Sequence, residues 1–177
     1  MNTSDGPNVI VFPPVIIIAT LALAAGLQWL APLGLVVQID PAWRLVIGGL
    51  ALVAGALPTI AGAVTLRHHG TPVLPSRPAV TLITSGIYGW TRNPMYAGGA
   101  PAMIGLALVL ALDWLPLLMI PSFLVLHVGV VRREEAYLAR KFGDAYRCYR
   151  ARVPRYAGWP GATHSQTLNP PTATSST

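Results

Sequence analysis

Four long apolar stretches alternate with polar connections along most of the chain. They cover residues 10–31, 44–66, 95–112 and 114–131, and they contain almost no charged side chains. About 20 apolar residues in a helix are enough to cross the hydrocarbon core of a bilayer. The pattern therefore predicts an all-α fold, a polytopic membrane bundle of about four transmembrane helices.

The chain changes character after the fourth stretch. Two arginines and two glutamates follow directly at 132–135, and apolar residues then recur at helical spacing. We expect an amphipathic helix over residues 132–152, on the cytoplasmic side. Residues 161–177 are rich in Ser, Thr and Pro, so they are predicted to be a disordered tail behind a single domain, residues 1–160.

Two details predict how the helices pack. Only Asp113 separates the third and fourth stretches, so these two helices must form a tight antiparallel hairpin. Small residues recur along the second stretch at intervals of three, four and seven: Gly48, Ala51, Gly55, Thr59 and Gly62. Such a stripe predicts close contact with a neighbouring helix in lipid.

The composition supports a membrane protein and locates its charge. Hydrophobic residues make up 53% of the chain and charged residues 10%, against about 25% charged residues in soluble domains. The 12 lysines and arginines lie mostly at 67–92 and 132–155, and basic connections mark the cytoplasmic side and attract anionic lipid. We therefore expect a multi-pass protein of the plasma (inner) membrane with both termini cytoplasmic. Its partner is the lipid bilayer and not nucleic acid.

The longest polar connection ends in a segment, residues 84–99, that is rich in glycine and aromatic residues. Pro94 favours a helix that begins at Met95, because proline suits the first turn. Tyr88 and Tyr96 then lie at the mouth of the third helix, and the hairpin brings Glu134 to the same place. Aromatic faces attract cations and a carboxylate pairs with an ammonium. The segment therefore predicts a pocket for a ligand with a cationic part and a flat ring; S-adenosylmethionine is one such ligand among several.

Other polar residues have simpler interpretations. The histidines and the one cysteine do not have the spacing of metal ligands, so no metal site is predicted. His127, inside the fourth stretch, either lines the pocket or has a hydrogen-bonded packing role. Glu135 is interpreted as a solvated residue at a helix start, where the helix dipole favours negative charge. Tyr146 and Tyr149 are interpreted as packing for the last helix.

Two separated motifs make the prediction more specific. Residues 82–98 read LITSGIYGWTRNPMYAG. The second motif consists of Glu134-Glu135, Leu138, Phe142-Gly143, Tyr146, Tyr149 and Val153-Pro154-Arg155. In this order, and joined by a helical hairpin, the motifs resemble the signature of the isoprenylcysteine carboxyl methyltransferase and phospholipid methyltransferase superfamily of integral membrane enzymes. The resemblance covers roughly residues 65–156.

The resemblance implies a site for S-adenosylmethionine at the cytoplasmic ends of the third and fourth helices. Glu134 would hold the polar end of this cofactor. Arg132 and Arg133 are the candidates for binding a substrate carboxylate, although the family spacing falls nearer Val130 or Val131. The other implied cofactor-binding residues are Val80, Thr81, Leu82, Ile83, Tyr88, Asn93, Pro94, Met95 and Tyr96.

Asn93 stands where many members of the superfamily have histidine. An amide cannot act as a general base. Methyl transfer to a carboxylate or thiolate needs no base, because positioning and desolvation of the reactants can do most of the work. The departure is therefore compatible with these two kinds of acceptor.

The predicted function is S-adenosylmethionine-dependent methyl transfer to a lipophilic small-molecule or prenylated acceptor, with an isoprenylcysteine-like carboxylate as the first choice. A small thiol and an ethanolamine phospholipid are alternative acceptors. An NADPH-dependent membrane reductase and a non-enzymatic membrane subunit are alternative functions. The sequence leaves the oligomeric state open.

Overall fold

The computed structural model describes residue 10, residues 12–74 and residues 78–156, and within them every regular element is helical. The all-α prediction is therefore confirmed. Short 3₁₀ turns lie at Val36–Gln38 and Gly86–Gly89. The predicted disordered tail, residues 161–177, lies outside the described residues. The helices are α1 (Pro13–Leu30), α2 (Pro41–His68), α3 (Pro94–Val109), α4 (Trp114–Leu126) and α5 (Arg132–Arg152).

The helices have the length and surface of membrane spans. α1, α2 and the helix that starts at Trp114 are long and apolar enough to cross a bilayer, whereas α3 is a shorter apolar helix of 16 residues. The third predicted stretch reached residue 112, but the helix ends earlier, because Ala111 has a positive φ of 54°. Large apolar side chains such as Trp29, Leu50 and Ile120 are exposed on the outside of the bundle, where lipid covers them. The protein is a multi-pass membrane protein.

The stripe of small residues packs α2 against α3. A Cβ added to Gly55 would lie 2.5 Å from the amide nitrogen of Ala102, and one added to Gly105 would lie 2.6 Å from the carbonyl oxygen of Gly48. Real Cβ atoms do not approach other atoms so closely. The glycines therefore allow the two backbones to touch, and the predicted close contact is confirmed. α1 packs against α4 on the other side of the bundle.

α4 and α5 form one continuous helical path instead of two separate helices. They are joined by a π turn, His127–Val131, in which the amide of Arg132 donates to the carbonyl of His127 five residues earlier. π turns are frequent at functional sites. α5 then breaks at Gly143, whose φ of 53° and ψ of −124° suit glycine. The break lets Tyr146 and Tyr149 pack with Leu82 of the long connection.

The opposite end of the bundle is closed by Asp113, in the predicted tight turn between α3 and α4. Its Oδ2 accepts hydrogen bonds from Gln28 Nε2 (3.0 Å) and the Gly34 amide (2.9 Å), and its Oδ1 accepts one from the Val36 amide (2.7 Å). Its own amide donates to Gln28 Oε1 at 2.8 Å. One side chain thus joins α1, the α1–α2 connection and the α3–α4 turn.

Candidate cofactor and acceptor site

A polar cavity of about 80 Å³ lies where the connection after α2, the start of α3 and the start of α5 meet. The structure brings together nine of the ten predicted cofactor-binding residues in its wall. Val80 is the exception, because its side chain is 67% exposed and lies outside the wall. The nine residues are Thr81, Leu82, Ile83, Tyr88, Asn93, Pro94, Met95, Tyr96 and Glu134.

Glu135 forms the centre of a buried ion triad, so its interpretation as a solvated residue was wrong. Its Oε1 lies 2.8 Å from Nη1 of Arg92, and Arg155 binds both carboxylate oxygens, with Nε at 2.9 Å and Nη2 at 2.7 Å. The Glu135 and Arg92 side chains are each only 9% exposed. The sequence motif contains all three residues, but their pairing depends on how the chain returns after Gly143.

Glu134 lines the same cavity without a partner. No hydrogen bond or ion pair joins its carboxylate to another residue in the described part of the chain. Burial by the surrounding protein, together with the nearby Glu135 carboxylate, raises the pKa of Glu134 to about 7. A carboxylate in this state gains much from a ligand that brings a positive charge.

Two hydrogen-bond donors in the cavity wall are also without partners. Arg92 Nε and Thr71 Oγ1 are buried, and neither has a hydrogen-bond partner among the described residues. Unpaired buried polar atoms are uncommon in native structures and each requires an explanation. One cavity therefore offers an acceptor, at Glu134, and donors, at Arg92 and Thr71. This is the complement of a zwitterionic group.

Tyrosines and Asn93 shape the floor of the polar cavity. Tyr149 Oη donates to the carbonyl oxygen of Tyr88 at 2.7 Å, and Arg92 Nη1 lies 3.3 Å from Tyr146 Oη. Burial, with the Glu134 charge as a second cause, raises the pKa of Tyr88 above its usual range. The Asn93 side-chain nitrogen Nδ2 donates to the Arg155 carbonyl oxygen at 3.3 Å. Tyr146 and Tyr149 do pack α5 on the connection, as expected, but they also line the cavity.

A second, apolar cavity of about 350 Å³ adjoins the polar one. It extends between α1, α3 and α4, and its wall includes Met103, Met119 and Phe123. The two cavities share four wall residues: Val73, Leu74, Met95 and Tyr96. A molecule in the apolar cavity would therefore lie directly beside a molecule in the polar cavity.

The predicted substrate-binding arginines lie elsewhere. Arg132 and Arg133 are exposed, and neither belongs to the wall of either cavity. The arginines near the polar cavity are Arg92, which lines its wall, and Arg155, which binds the wall residue Glu135; neither was predicted as a site residue. Both stand inside the two motifs, directly before Asn93-Pro94 and directly after Val153-Pro154, and this position is the signal that could have identified them.

Comparisons with known proteins identify the family of the chain. The sequence matches the phospholipid methyltransferase family over residues 43–145. Over 73 residues, 41% of this chain, it is 36% identical to the protein-S-isoprenylcysteine O-methyltransferase of Schizosaccharomyces pombe, and the match covers only 31% of that protein. No solved structure matches the chain at a significant level. The chain belongs to the phospholipid methyltransferase family, within the superfamily of membrane methyltransferases that also includes isoprenylcysteine methyltransferases.

Proposed function

We propose that the protein transfers a methyl group from S-adenosylmethionine, held in the polar cavity, to a lipophilic acceptor held in the apolar cavity. One observation carries this proposal. The polar cavity contains an unpartnered carboxylate and an unpartnered guanidinium nitrogen, and it shares the Met95–Tyr96 wall with the apolar cavity. Membership of a methyltransferase family supports the type of reaction.

The wall of the polar cavity fits the charges of this cofactor. Glu134 would hold the ammonium of its amino-acid end, and Arg92 Nε with Thr71 Oγ1 would hold the carboxylate. Tyr88 and Tyr96 would offer aromatic faces to the sulfonium or the adenine. When bound, the cofactor supplies a methyl group attached to a positively charged sulfur.

The size of the polar cavity adds a requirement. At about 80 Å³ it is smaller than ligand pockets of about 300–1,000 Å³. Residues of the adjoining connection, 71–74 and 79–83, must therefore move outward on binding. We place this connection in the cytoplasm, because it carries the basic residues that mark that side, and a water-soluble cofactor would reach it there.

The acceptor would insert its apolar chain between α1, α3 and α4. An isoprenylcysteine, the group in the name of the yeast relative, and a phospholipid, the group in the description of the family, both have such a chain. The protein's own contribution to the reaction is to position the acceptor beside the shared wall and to exclude water. Sideways access from the bilayer follows from the position of the apolar cavity within the spans.

An NADPH-dependent reductase fits the polar cavity less well. Its cofactor carries several phosphates, which Glu134 would repel, and the one unpartnered cationic nitrogen there is Arg92 Nε among the described residues. A non-enzymatic subunit would have no need of an unpartnered carboxylate in the same cavity as a buried, unpartnered guanidinium nitrogen. The polar cavity therefore favours the methyltransferase.

Titration calorimetry on the purified full-length protein tests the proposal. S-adenosylmethionine and S-adenosylhomocysteine should both bind, and NADPH should not. Arg132→Gln should bind like the unaltered protein, because Arg132 lies outside both cavities. Binding of NADPH, or of none of the three, would contradict the proposal. Transfer of a labelled methyl group from S-adenosylmethionine to a membrane lipid extract would then identify the acceptor.

A further inference from the structure

His127 and Tyr156 form the polar end of the apolar cavity. His127 Nδ1 lies 2.6 Å from Tyr156 Oη, and both side chains line the cavity. The Phe123 ring packs on both, with ring centroids 6.0 Å from His127 and 5.3 Å from Tyr156. An ionisable group inside a membrane span is costly and is a functional-site hypothesis by default. This pair therefore calls for a role beyond packing.

Apart from this pair, the one polar side-chain group in the described wall that has no hydrogen-bond partner is the Tyr96 hydroxyl, which belongs to the wall shared with the polar cavity. The wall contains no lysine, arginine, aspartate or glutamate among the residues that the structure describes. Thr20 and Ser122 hydrogen-bond to each other at 2.6 Å, and Thr59 donates to the Gly55 carbonyl at 2.8 Å. His127 Nε2, in contrast, has no hydrogen-bond partner in the described part of the chain.

Residues around the polar cavity hold the neighbour of Tyr156 in place. The Arg155 carbonyl accepts hydrogen bonds from Thr91 Oγ1 (3.1 Å) and Asn93 Nδ2 (3.3 Å). The Arg155 guanidinium binds Glu135 through two hydrogen bonds. These contacts fix the residue just before Tyr156 beside Asn93 and Glu135, which line the polar cavity. The His127–Tyr156 pair therefore lies on the side of the apolar cavity that is nearer to the polar cavity.

We infer that His127 and Tyr156 bind the polar head of the lipophilic acceptor, and that this head is an uncharged hydrogen-bonding group (a hydroxyl, a thiol or a neutral amine) and not the ionised carboxylate of an isoprenylcysteine. The inference rests on the proposed function for its choice of ligand. The pair offers hydrogen bonds to such a head. An ionised carboxylate would lose its water without meeting a lysine or arginine in this wall, and an unpaired buried charge is very costly.

Photo-crosslinking in lipid nanodiscs tests this inference without measuring methyl transfer. The probes are hexadecanol, hexadecanoate and hexadecane, each carrying a diazirine in the chain, and mass spectrometry locates the labelled residues. The alcohol should label the cavity residues Met103 and Met119 about three- to tenfold more than the hydrocarbon does, the range for one net hydrogen bond. His127→Leu should remove this advantage, and His127→Gln should retain part of it. His69→Leu, at an exposed histidine outside the cavity, should not change it.

The hydrocarbon probe reports whether the cavity survives each substitution. If His127→Leu lowers labelling by both probes, the cavity has changed shape, and Tyr156→Phe, which preserves volume, decides the question. A fall in alcohol labelling at constant hydrocarbon labelling in Tyr156→Phe supports the inference. Equal labelling by alcohol and hydrocarbon in the unaltered protein overturns it, as does stronger labelling by hexadecanoate or unchanged alcohol labelling in both variants.

Calorimetry with S-adenosylhomocysteine on the same samples separates this inference from the proposed function. Both variants should bind S-adenosylhomocysteine as the unaltered protein does, because neither residue lines the polar cavity. Head-dependent labelling without any such binding would leave the head site standing and refute the methyltransferase. Binding of S-adenosylhomocysteine without head-dependent labelling would support the methyltransferase and overturn the head site.

Discussion

The two ends of the bundle both contain buried carboxylates with hydrogen-bond partners, but only one end also contains a carboxylate without a partner among the described residues. At the α3–α4 turn, Asp113 is 5% exposed and accepts three hydrogen bonds from Gln28, Gly34 and Val36. At the other end, Glu135 is equally well bound, by two arginines. Its neighbour Glu134 has no partner among the described residues. The carboxylate at the first end has all its partners within the protein, whereas one carboxylate at the second end lacks a partner among the described residues.

The difference separates polar groups that hold the fold from polar groups that await a ligand. A buried polar atom without a partner costs free energy, so a chain keeps one only where something else repays that cost. Glu134, Arg92 Nε and Thr71 Oγ1 meet in one cavity. Asp113 and Glu135 should therefore control stability, and Glu134 should control ligand affinity.

The largest effect is expected from Glu135→Gln. It removes the carboxylate that neutralises Arg92 and Arg155, and breaking a buried ion pair on one side typically costs about 3–5 kcal/mol. The free energy of unfolding in detergent, followed by tryptophan fluorescence, measures the loss. Asp144→Asn is the matched control, because the Asp144–Arg147 pair is exposed and such pairs contribute little. Similar small losses in both variants would mean that the triad is not structural.

Glu134→Gln should have the reverse pattern. Stability should stay the same or rise, because the substitution removes a charge that has no partner in the unliganded protein. The affinity for S-adenosylmethionine should fall by about 2–5 kcal/mol, the usual cost of removing one partner of a desolvated charge pair. Calorimetry measures the affinity, and Asp144→Asn is again the control. A loss of stability equal to that of Glu135→Gln would remove the distinction between the two glutamates.

The pH dependence of binding sharpens the same distinction. Because the pKa of Glu134 is raised to about 7, acid protonates it and removes the charge that pairs with the ammonium. Affinity should therefore rise as the pH increases through neutrality, and binding at neutral pH should release protons. Both effects should be absent in Glu134→Gln. A pH dependence that persists in this variant would assign the titration to another group.

Asp113→Ala tests the end of the bundle at the α3–α4 turn, where the carboxylate has all its partners. It leaves the donors of Gln28, Gly34 and Val36 without their acceptor, at an expected cost of about 1–3 kcal/mol of unfolding free energy. Ligand affinity should not change, because the site lies at the other end. Asp40→Ala is the comparison, since the exposed Asp40 caps α2 through hydrogen bonds to the Ala42 and Trp43 amides, and a cap contributes about 1 kcal/mol. Weaker binding in Asp113→Ala would couple the two ends.

The smallest effect is expected at Tyr96, in the wall between the cavities. Tyr96→Phe keeps the aromatic face and should be tolerated, whereas Tyr96→Leu removes it. A cation–π contact contributes about 0.5–2 kcal/mol. Calorimetry with S-adenosylhomocysteine, which lacks the positive sulfur, is the control. If leucine weakens both ligands equally, the ring stacks or packs and does not contact the sulfonium.

The helices and their closest contact could be predicted from the sequence because their causes are local or periodic. Pro94 lies in the first turn of α3, which begins one residue before the predicted Met95, and the stripe of small residues on α2 meets α3. Asp113 does mark a short turn. The motifs likewise placed nine of ten residues in one cavity, since the resemblance aligns positions that are close in sequence to the same helix ends.

The partners of the polar residues were decided only by tertiary structure. Hydrophobic periodicity cannot show that Glu135 meets Arg155, which lies 20 residues later, or that Tyr156 reaches His127. Both contacts depend on the break at Gly143 and on the return of the chain across Thr91 and Asn93. A change of direction at one glycine leaves no repeating pattern in the sequence. A helix start, in contrast, is set by the residues that form it, and these are adjacent along the chain.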